Sequence, residues 1–175
     1  MVTFQKYRLK EIASIAISNV DKKCKEGESE VRLCNFTDVY YSWAVTHSMS
    51  DEFMVATASD SQREKFALHK GQVAITKDSE TRHDIGIPCY IADDFTDTIL
   101  GYHCALITPD STKLDGNYLN AYLNSSMAKT YFANNATGSG MRYTLNAATI
   151  EDFIIYLPSL QEQKRIGKLF SDIFL

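Results

Sequence analysis

The sequence has no apolar run long enough to cross a membrane and no apolar segment of the kind found in secretory signals. Its longest apolar runs, residues 12–17 and 153–157, are far shorter than the roughly 20 residues that a membrane-spanning helix needs. Residues 1–8 lack the apolar core of a secretory signal, so export is not expected. These absences predict a cytoplasmic protein with no membrane contact.

Closely spaced cysteine or histidine pairs are also missing. The four cysteines stand ten, fifty-five and fifteen positions apart, and the four histidines show no regular spacing. Metal sites and disulfide frameworks need closer and more regular spacings. We therefore predict no metal ligand and no disulfide, only buried or incidental thiols in a reducing compartment. The cysteines are Cys24, Cys34, Cys89 and Cys104.

A basic excess is absent as well, since 18 Lys and Arg oppose 22 Asp and Glu, giving a net charge of −4. This balance argues against a strong stand-alone nucleic-acid binder, because sequence-independent affinity comes from cations that neutralise phosphates. It leaves room for a DNA reader held in place by basic partners. Residues 83–112 contain five aspartates and no Lys or Arg, whereas five cations cluster within residues 63–82.

What the sequence does have is a mixture of helix and strand patterns over 175 residues, a length that suits one domain. β-branched and alternating patterns predict several strands, and three- and four-residue apolar spacings predict helices. We expect an α+β fold. The predicted strands are 30–35, 73–76, 87–91, 104–108 and a buried strand at 153–157; the predicted helical segments are 8–13, 60–64 and 117–134, the last running into a loop at 134–140.

The end of the chain predicts one more helix. Ser159 and Glu162 have the S-x-x-E spacing of a capping box, which satisfies free amides at a helix start. The apolar positions that follow lie on one face and are still repeating where the sequence stops. We predict that this face pairs with another helix, the alternative being packing on its own domain. The residues are Ile166, Leu169, Phe170 and Ile173.

Residues 76–82 are almost all polar and directly follow an apolar strand. A loop of this composition is either solvated or faces a DNA groove, where Lys and Arg reach phosphates or guanine and Ser and Thr reach either partner. A third interpretation is a small hydrolase that uses Lys77, Asp78, Ser79 and Glu80 as acid-base and nucleophilic groups. Consecutive residues of an extended chain point to alternate sides, which disfavours that interpretation.

Several short motifs in a fixed order resemble a known family. They are RLKEIA at 8–13, KGQVAIT at 70–76, LNSS at 123–126, the small-residue loop at Gly138 and Ser139, and LPSLQEQKRI at 157–166. Together they resemble one target recognition domain of a type I restriction-modification specificity subunit. The resemblance spans nearly the whole chain, and its most specific part is the P-x-L-x-E-Q-x-x-I stretch that opens a helix.

The resemblance implies a non-catalytic DNA reader with a mixed, mostly antiparallel, curved sheet and flanking helices. Residues 1–157 would form the target recognition domain, and residues 158–175 would begin the spacer helix. Family members usually carry two such domains, each reading half of a split target. Methylation subunits bring S-adenosylmethionine for adenine methylation, and motor-nuclease subunits use Mg²⁺ and ATP for cleavage, so this chain would hold no cofactor. With one domain it is a half-subunit, able to pair with a second copy or second half through its helix, or a trimmed fragment.

Seven polar residues are our candidates for contacts with double-stranded DNA. They come from the cationic cluster within 63–82, the polar loop 76–82 and the segment around Gly138 and Gly140. Because glycine has no side chain, the backbone of that last segment can approach a phosphate closely. Base-reading loops differ among members of such a family, so no contact is carried over from it. A protein-interaction module or decoy of the same fold is the alternative, favoured by the acidic stretch 84–110. The candidates are Lys65, Lys77, Ser79, Thr81, Arg82, Ser139 and Arg142.

Overall fold

The computed structural model describes residues 3–175, which form thirteen strands in four sheets and seven α-helices. This mixture confirms the α+β class, and most strand pairings are antiparallel, as predicted. The strands are β1 (Gln5–Arg8), β2 (Ala13–Ile17), β3 (Ser29–Cys34), β4 (Ala44–Val45), β5 (Met54–Ala58), β6 (Val73–Thr76), β7 (Asp78–Ser79), β8 (Pro88–Ile91), β9 (Thr98–Leu100), β10 (Cys104–Pro109), β11 (Thr137–Ser139), β12 (Arg142–Thr144) and β13 (Ile154–Leu157). The helices are α1 (Phe36–Tyr40), α2 (His47–Ser50), α3 (Asp60–Phe66), α4 (Gly116–Leu123), α5 (Ser126–Asn135), α6 (Ala147–Glu151) and α7 (Leu160–Phe174).

A five-stranded sheet of order β2-β10-β6-β8-β4 lies at the centre and is buried on both faces. Its side chains alternate between two cores, because successive residues of a strand point to opposite faces. Val73 and Ile75 of β6 enter the helix-side core, which includes Leu119 of α4 and Phe132 of α5. Ala74, between them, enters the sheet-side core. A sheet covered on both faces explains why β6 reads as one continuous apolar run.

The sheet-side core lies beneath a three-stranded sheet of order β5-β3-β9 and helix α3. Three cysteines contribute to this core as small apolar side chains, so the prediction of buried thiols is confirmed for them, while Cys24 is exposed. Burial raises the pKa of each buried thiol, that of Cys104 to about 12, so all three are protonated at neutral pH. The buried cysteines are Cys34, Cys89 and Cys104.

The single helix predicted over 117–134 is wrong, because two helices occupy this segment. Helix α4 ends at Leu123, and Asn124 folds back so that its side-chain amide donates to the Asn120 carbonyl at 2.9 Å. Ser125 then caps α5, its hydroxyl accepting from the Ala128 amide at 3.3 Å. Asn and Ser compete with helical hydrogen bonding through their own side chains, which is why this pair ends one helix and starts the next.

Three other predictions need correction. The helical segment at 8–13 is only a 3-10 turn, Leu9–Glu11, and the segment 134–140 is partly a strand, β11. Strand β13 alternates exposed and buried residues, with Ile155 and Leu157 inside, because only one of its faces lies on the core. The strands at 30–35, 73–76, 87–91 and 104–108 and the capped helix after Ser59 are confirmed within one or two residues.

Helix α7 packs along α4 through a buried amide and a glycine. The Gln163 side chain is buried, donates to the Pro158 carbonyl at 3.1 Å and accepts from the Asp115 amide at 3.0 Å. A Cβ at Gly167 would lie 2.8 Å from the Tyr118 amide nitrogen, so only glycine allows this close approach. Ser159 caps the helix as predicted, but the Glu162 carboxylate bonds Arg165 instead of closing a capping box.

The four apolar residues predicted for helix pairing divide into two groups. Ile166 packs against the helix-side core, and the Phe170 ring stacks on Trp43 with centroids 6.1 Å apart. Leu169 and Ile173 remain 61% and 65% exposed. The predicted pairing face is therefore partly used by the domain itself, and the free part comprises Leu169 and Ile173.

Candidate nucleic-acid interface

Strands β11 and β12 form a two-stranded antiparallel hairpin, residues 137–144, that we call the ribbon. Ser139 lies opposite Arg142 in its register, and Gly140 and Met141 make the connecting turn. Gly138 and Gly140 have positive φ values of 117° and 65°, a conformation that glycine adopts without strain. Residues 137–142 are all exposed, so the end of the ribbon stands clear of the domain on both faces.

Charge is distributed so that this part of the chain lacks carboxylates. Residues 116–150 contain no Asp or Glu and carry Lys129 and Arg142, although the chain as a whole is acidic. Within residues 3–175, neither cation is part of an ion pair with a carboxylate. An exposed cation without a carboxylate partner keeps its attraction for external anions such as phosphate.

The ribbon is joined to the domain through β7, where Thr144 lies opposite Asp78. The Asp78 carboxylate accepts a hydrogen bond from Lys77 Nζ at 2.6 Å and contacts His103 Nδ1 at 2.7 Å. Partial burial alone would raise the pKa of Asp78, but hydrogen bonds from Lys77, Thr144 and His103 outweigh it and lower the pKa. Asp78 is therefore ionised at neutral pH. It links β7, β12 and the turn at His103 at the end of the ribbon next to Thr144, which we call its root.

Arg82 connects the ribbon to helix α5. Its guanidinium donates to the carbonyls of Ala133 and Ala136 at 3.4 and 2.8 Å, at the end of α5. It also lies over the Tyr143 ring of β12, 4.9 Å from the centroid. Carbonyls at a helix end are a favourable partner for a cation, so Arg82 ties α5 to the ribbon.

The seven residues predicted to contact DNA do not form one group. Ser139, Arg142 and Ser79 lie on the three strands β11, β12 and β7, and Thr81 follows directly, with its amide donating to the Ser79 hydroxyl at 3.1 Å. Lys77 is buried, and Arg82 faces protein carbonyls.

Lys65 is on a different side of the fold. It is exposed on α3, a helix that packs on β9 of the other three-stranded sheet. Of the seven candidates, Ser139 and Arg142 share one exposed face of the ribbon, the half-buried Ser79 lies on its other face opposite Tyr143, and Thr81 is exposed just beyond β7. Lys77 and Arg82 are engaged in holding the ribbon, and Lys65 is apart from it.

Sequence reasoning missed two elements of this surface. One is the contact of His103 with Asp78, because nothing in the sequence connects two residues that are 25 positions apart. The ribbon was read as a loop, because Thr, Gly and Ser carry little strand signal. One available signal was the carboxylate-free run 116–150, which stands out in an acidic chain.

The residues considered for a small hydrolase do not converge on a pocket. Lys77 and Asp78 bond each other, and the Ser79 hydroxyl accepts from a backbone amide instead of facing a base. The best-formed cavities lie elsewhere, one between α3 and β9 and one beside Pro158. Among residues 3–175, no group of three His, Cys, Asp or Glu side chains is placed to hold a metal ion.

The family model for the "Type I restriction modification DNA specificity domain" matches residues 1–175, the whole chain. The chain belongs to this family. Its members are the non-catalytic specificity components of type I restriction-modification systems, which is why no catalytic constellation is needed here. No curated protein matches the chain.

Three solved structures share the fold of this specificity domain. One comes from work on complex assembly and conformational transition of the type I R-M system, with a TM-score of 0.62 and 16% identity. The others are the S subunit from M. genitalium (TM-score 0.60, 13% identity) and the HsdS subunit from Thermoanaerobacter tengcongensis (TM-score 0.63, 17% identity). Each match covers 97% of this chain but only 37–38% of the other, so the specificity domain spans less than two fifths of those proteins.

No helix within the described part of the specificity domain, residues 3–175, has the length and apolar character to span a membrane.

Proposed function

We propose that this domain reads one half of a bipartite DNA target for a type I restriction-modification complex, and that the ribbon is its reading element. Three features of the ribbon together carry the proposal. The end of the hairpin is exposed on both faces, its cation Arg142 is paired with no carboxylate among residues 3–175, and both lie in a stretch of 35 residues without Asp or Glu. The exposed end of the ribbon, residues 137–142, buries little surface of its own, so its contribution to stability is small and an external partner is the better explanation for it.

The major groove of DNA is the partner that this shape and chemistry fit. The groove is about 12 Å wide and admits a two-stranded β-ribbon. Arg142 near the tip carries a guanidinium suited to guanine O6 and N7 or to phosphate, and Ser139 opposite it offers a hydroxyl to either kind of partner. Asp78 and Thr144 share the face of Arg142 and Ser139, whereas Ser79 lies on the opposite face with Tyr143.

Binding of the isolated domain to DNA is expected to be weak, because its net charge is −4. Methylation subunits would supply the remaining affinity together with S-adenosylmethionine, and a motor-nuclease subunit would bring Mg²⁺ and ATP. The domain itself would direct adenine methylation and cleavage without holding any of these groups. Such a complex acts where the DNA is, in the cytoplasm.

Helix α7 would provide the contact with a second half-subunit or a second copy of this chain. Leu169 and Ile173 are its free apolar positions, whereas Phe174, although 54% exposed, stacks on Trp43 with ring centroids 4.3 Å apart. Covering such side chains is favourable by roughly 25 cal/mol per Å² of apolar surface. The division into a domain, 1–157, and a helix start, 158–175, stays a prediction that a pairing measurement would test.

The test is methylation of a random-sequence DNA library by the chain mixed with cognate methylation subunits and S-adenosylmethionine. The wild-type chain is expected to direct adenine methylation to a repeated short motif. Arg142→Ala should reduce methylation at that motif about tenfold or more, because one base or phosphate contact is lost. Lys23→Ala is the matched control, since Lys23 is an exposed cation far along the chain from the ribbon and its ammonium takes part in no ion pair.

Equal activity of Arg142→Ala and Lys23→Ala would contradict the role of the ribbon. A complex that forms normally but methylates no motif would instead favour a protein-interaction module or decoy of the same fold. The observation behind that second candidate is the acidic stretch 84–110, in which the side chains of Asp94 and Asp97 are 73% and 56% exposed. These suit a basic protein surface better than DNA.

A further inference from the structure

The turn at Tyr102 and His103 has an unusual backbone. His103 is the only residue other than glycine with a positive φ, 72°, within residues 3–175. Side chains rarely adopt this conformation, although His, Asn and Asp tolerate it better than most. A glycine at this position would remove the strain, so the imidazole is retained at a cost in stability. Strained residues of this kind cluster at functional sites.

The imidazole is held at the root of the ribbon. Its Nδ1 lies 2.7 Å from the Asp78 carboxylate, and its ring packs edge-on against Tyr102 with centroids 4.1 Å apart. The main chain is fixed as well, because the His103 carbonyl accepts from the Lys77 amide at 2.9 Å. Since Asp78 lies opposite Thr144 of β12, any movement of the ribbon is coupled to the position of this ring.

These contacts also determine which ring nitrogen carries the proton. The ionised Asp78 carboxylate only accepts hydrogen bonds, so Nδ1 of His103 must donate. In the neutral ring, Nε2 then has a free lone pair and is an acceptor. The side chain is 50% exposed, and Nε2 has no hydrogen-bond partner among the described residues.

We propose that His103 is a specificity-determining residue that accepts a hydrogen bond, through Nε2, from the amino group of adenine or cytosine. In the major groove, the N6 amino group of adenine and the N4 amino group of cytosine are the only hydrogen-bond donors, whereas guanine and thymine present acceptors there. Phosphate oxygens are acceptors too and cannot satisfy a neutral Nε2. In its neutral form, with Nδ1 donating to Asp78, the ring therefore favours a base amino group over a backbone phosphate.

Asp78 acts in this arrangement as a positioning residue, since it fixes the tautomer and orientation of His103 without reaching DNA itself. The inference rests on the proposed function, because it assumes that the ribbon enters the groove. It adds a second reading point to Arg142 in the same half-site. His103 contacts Asp78, the partner of Thr144, and Thr144 lies on the same face of β12 as Arg142, two residues or roughly 7 Å along the strand.

The experiment is the library methylation assay with His103→Gly, which removes the imidazole while tolerating the positive φ. We expect the same motif except at one position, where a wild-type preference for adenine or cytosine falls about tenfold, the loss typical of one base contact. Asp78→Asn should weaken the preference at that same position. The matched control is His69→Asn, because His69 also faces a carboxylate, Asp94 at 3.6 Å, and is exposed.

Each result has a distinct meaning. A motif from His103→Gly identical to the wild-type motif overturns the inference, and so does a uniform loss at every position, which indicates a phosphate contact or a structural role. A urea titration of His103→Gly separates unfolding from loss of reading, and unchanged stability with altered base preference supports the inference. If the wild-type chain selects no motif at all, the proposed function itself fails.

Discussion

The two antiparallel strand pairs at the edges of this domain are built in opposite ways. In the pair of β1 and β13, Ile155 and Leu157 are buried in the helix-side core and the other face is exposed. In the ribbon, residues 137–142 are exposed on both faces. Both pairs are short, and both lie outside the central sheet.

The difference separates stability from recognition. The pair of β1 and β13 covers apolar surface of the core, so packing constrains the size and shape of its inward side chains. The ribbon shields almost nothing, so selection for folding leaves its outward side chains free to vary. The reading role proposed for the ribbon requires that freedom, and a hairpin anchored only at its root provides it.

The largest expected effect on stability is that of Ile155→Ala. Ile155 is fully buried, and its truncation removes apolar contacts and leaves a cavity, which should lower the free energy of unfolding by about 2–5 kcal/mol. Urea denaturation followed by circular dichroism measures this change. Protein that remains folded should keep the wild-type methylation motif, and an altered motif would show that the two strand pairs are not independent.

Gly138→Ala should cause the next largest loss of stability, because it changes the backbone of the ribbon itself. A Cβ at this position would meet the Arg142 carbonyl oxygen, at a φ of 117° that side chains avoid. We expect a loss of about 1–3 kcal/mol and of motif-specific methylation. Gly140→Ala is the control, since nothing lies within 4 Å of its Cβ, and it should cost less. Equal effects of the two substitutions would mean that close strand contact at Gly138 is unimportant.

Acid should weaken the root of the ribbon. The pKa of Asp78 is lowered from 3.8, so its contribution is complete above the unfolded-state value and is lost as the pH falls through the lower, folded-state value. Asp78→Asn should remove about 1 kcal/mol at pH 7 and flatten the decline of stability in acid. Urea midpoints of both proteins between pH 6 and pH 3 measure this. Parallel curves would assign the acid sensitivity to other carboxylates.

The smallest effect belongs to the tip of the ribbon. Met141 is 74% exposed and contributes almost no packing, so Met141→Ser should change the free energy of unfolding by less than about 0.5 kcal/mol. Thermal unfolding of the two proteins at equal concentration checks this. A larger loss would reveal a contact of the ribbon with its own domain and would weaken the contrast with β13.

Sequence reasoning succeeded where local chemistry decides the structure. The largely β-branched run 73–76 forms β6, and Ser159 caps α7 because its hydroxyl directly precedes an apolar repeat. It failed at residues 124–125, since an apolar spacing that persists across a break looks like one helix. It failed also at Asp78 and His103, because their contact depends on how β6 and β10 pair, which no local pattern encodes.

The glycine contact between α7 and α4 makes the last helix a lever. Gly167 seats it against the Tyr118 backbone, and Ser171 donates to Asn117 at 2.8 Å, so the helix direction is set by the domain. From Gly167 to Phe174 the axis rises about 10 Å, and a tilt of 10° at the glycine would displace the far end by roughly 2 Å. A single added methyl group at Gly167 would therefore shift the exposed side chains of Leu169 and Ile173 and disturb the stacking of Phe174 on Trp43, without altering the ribbon.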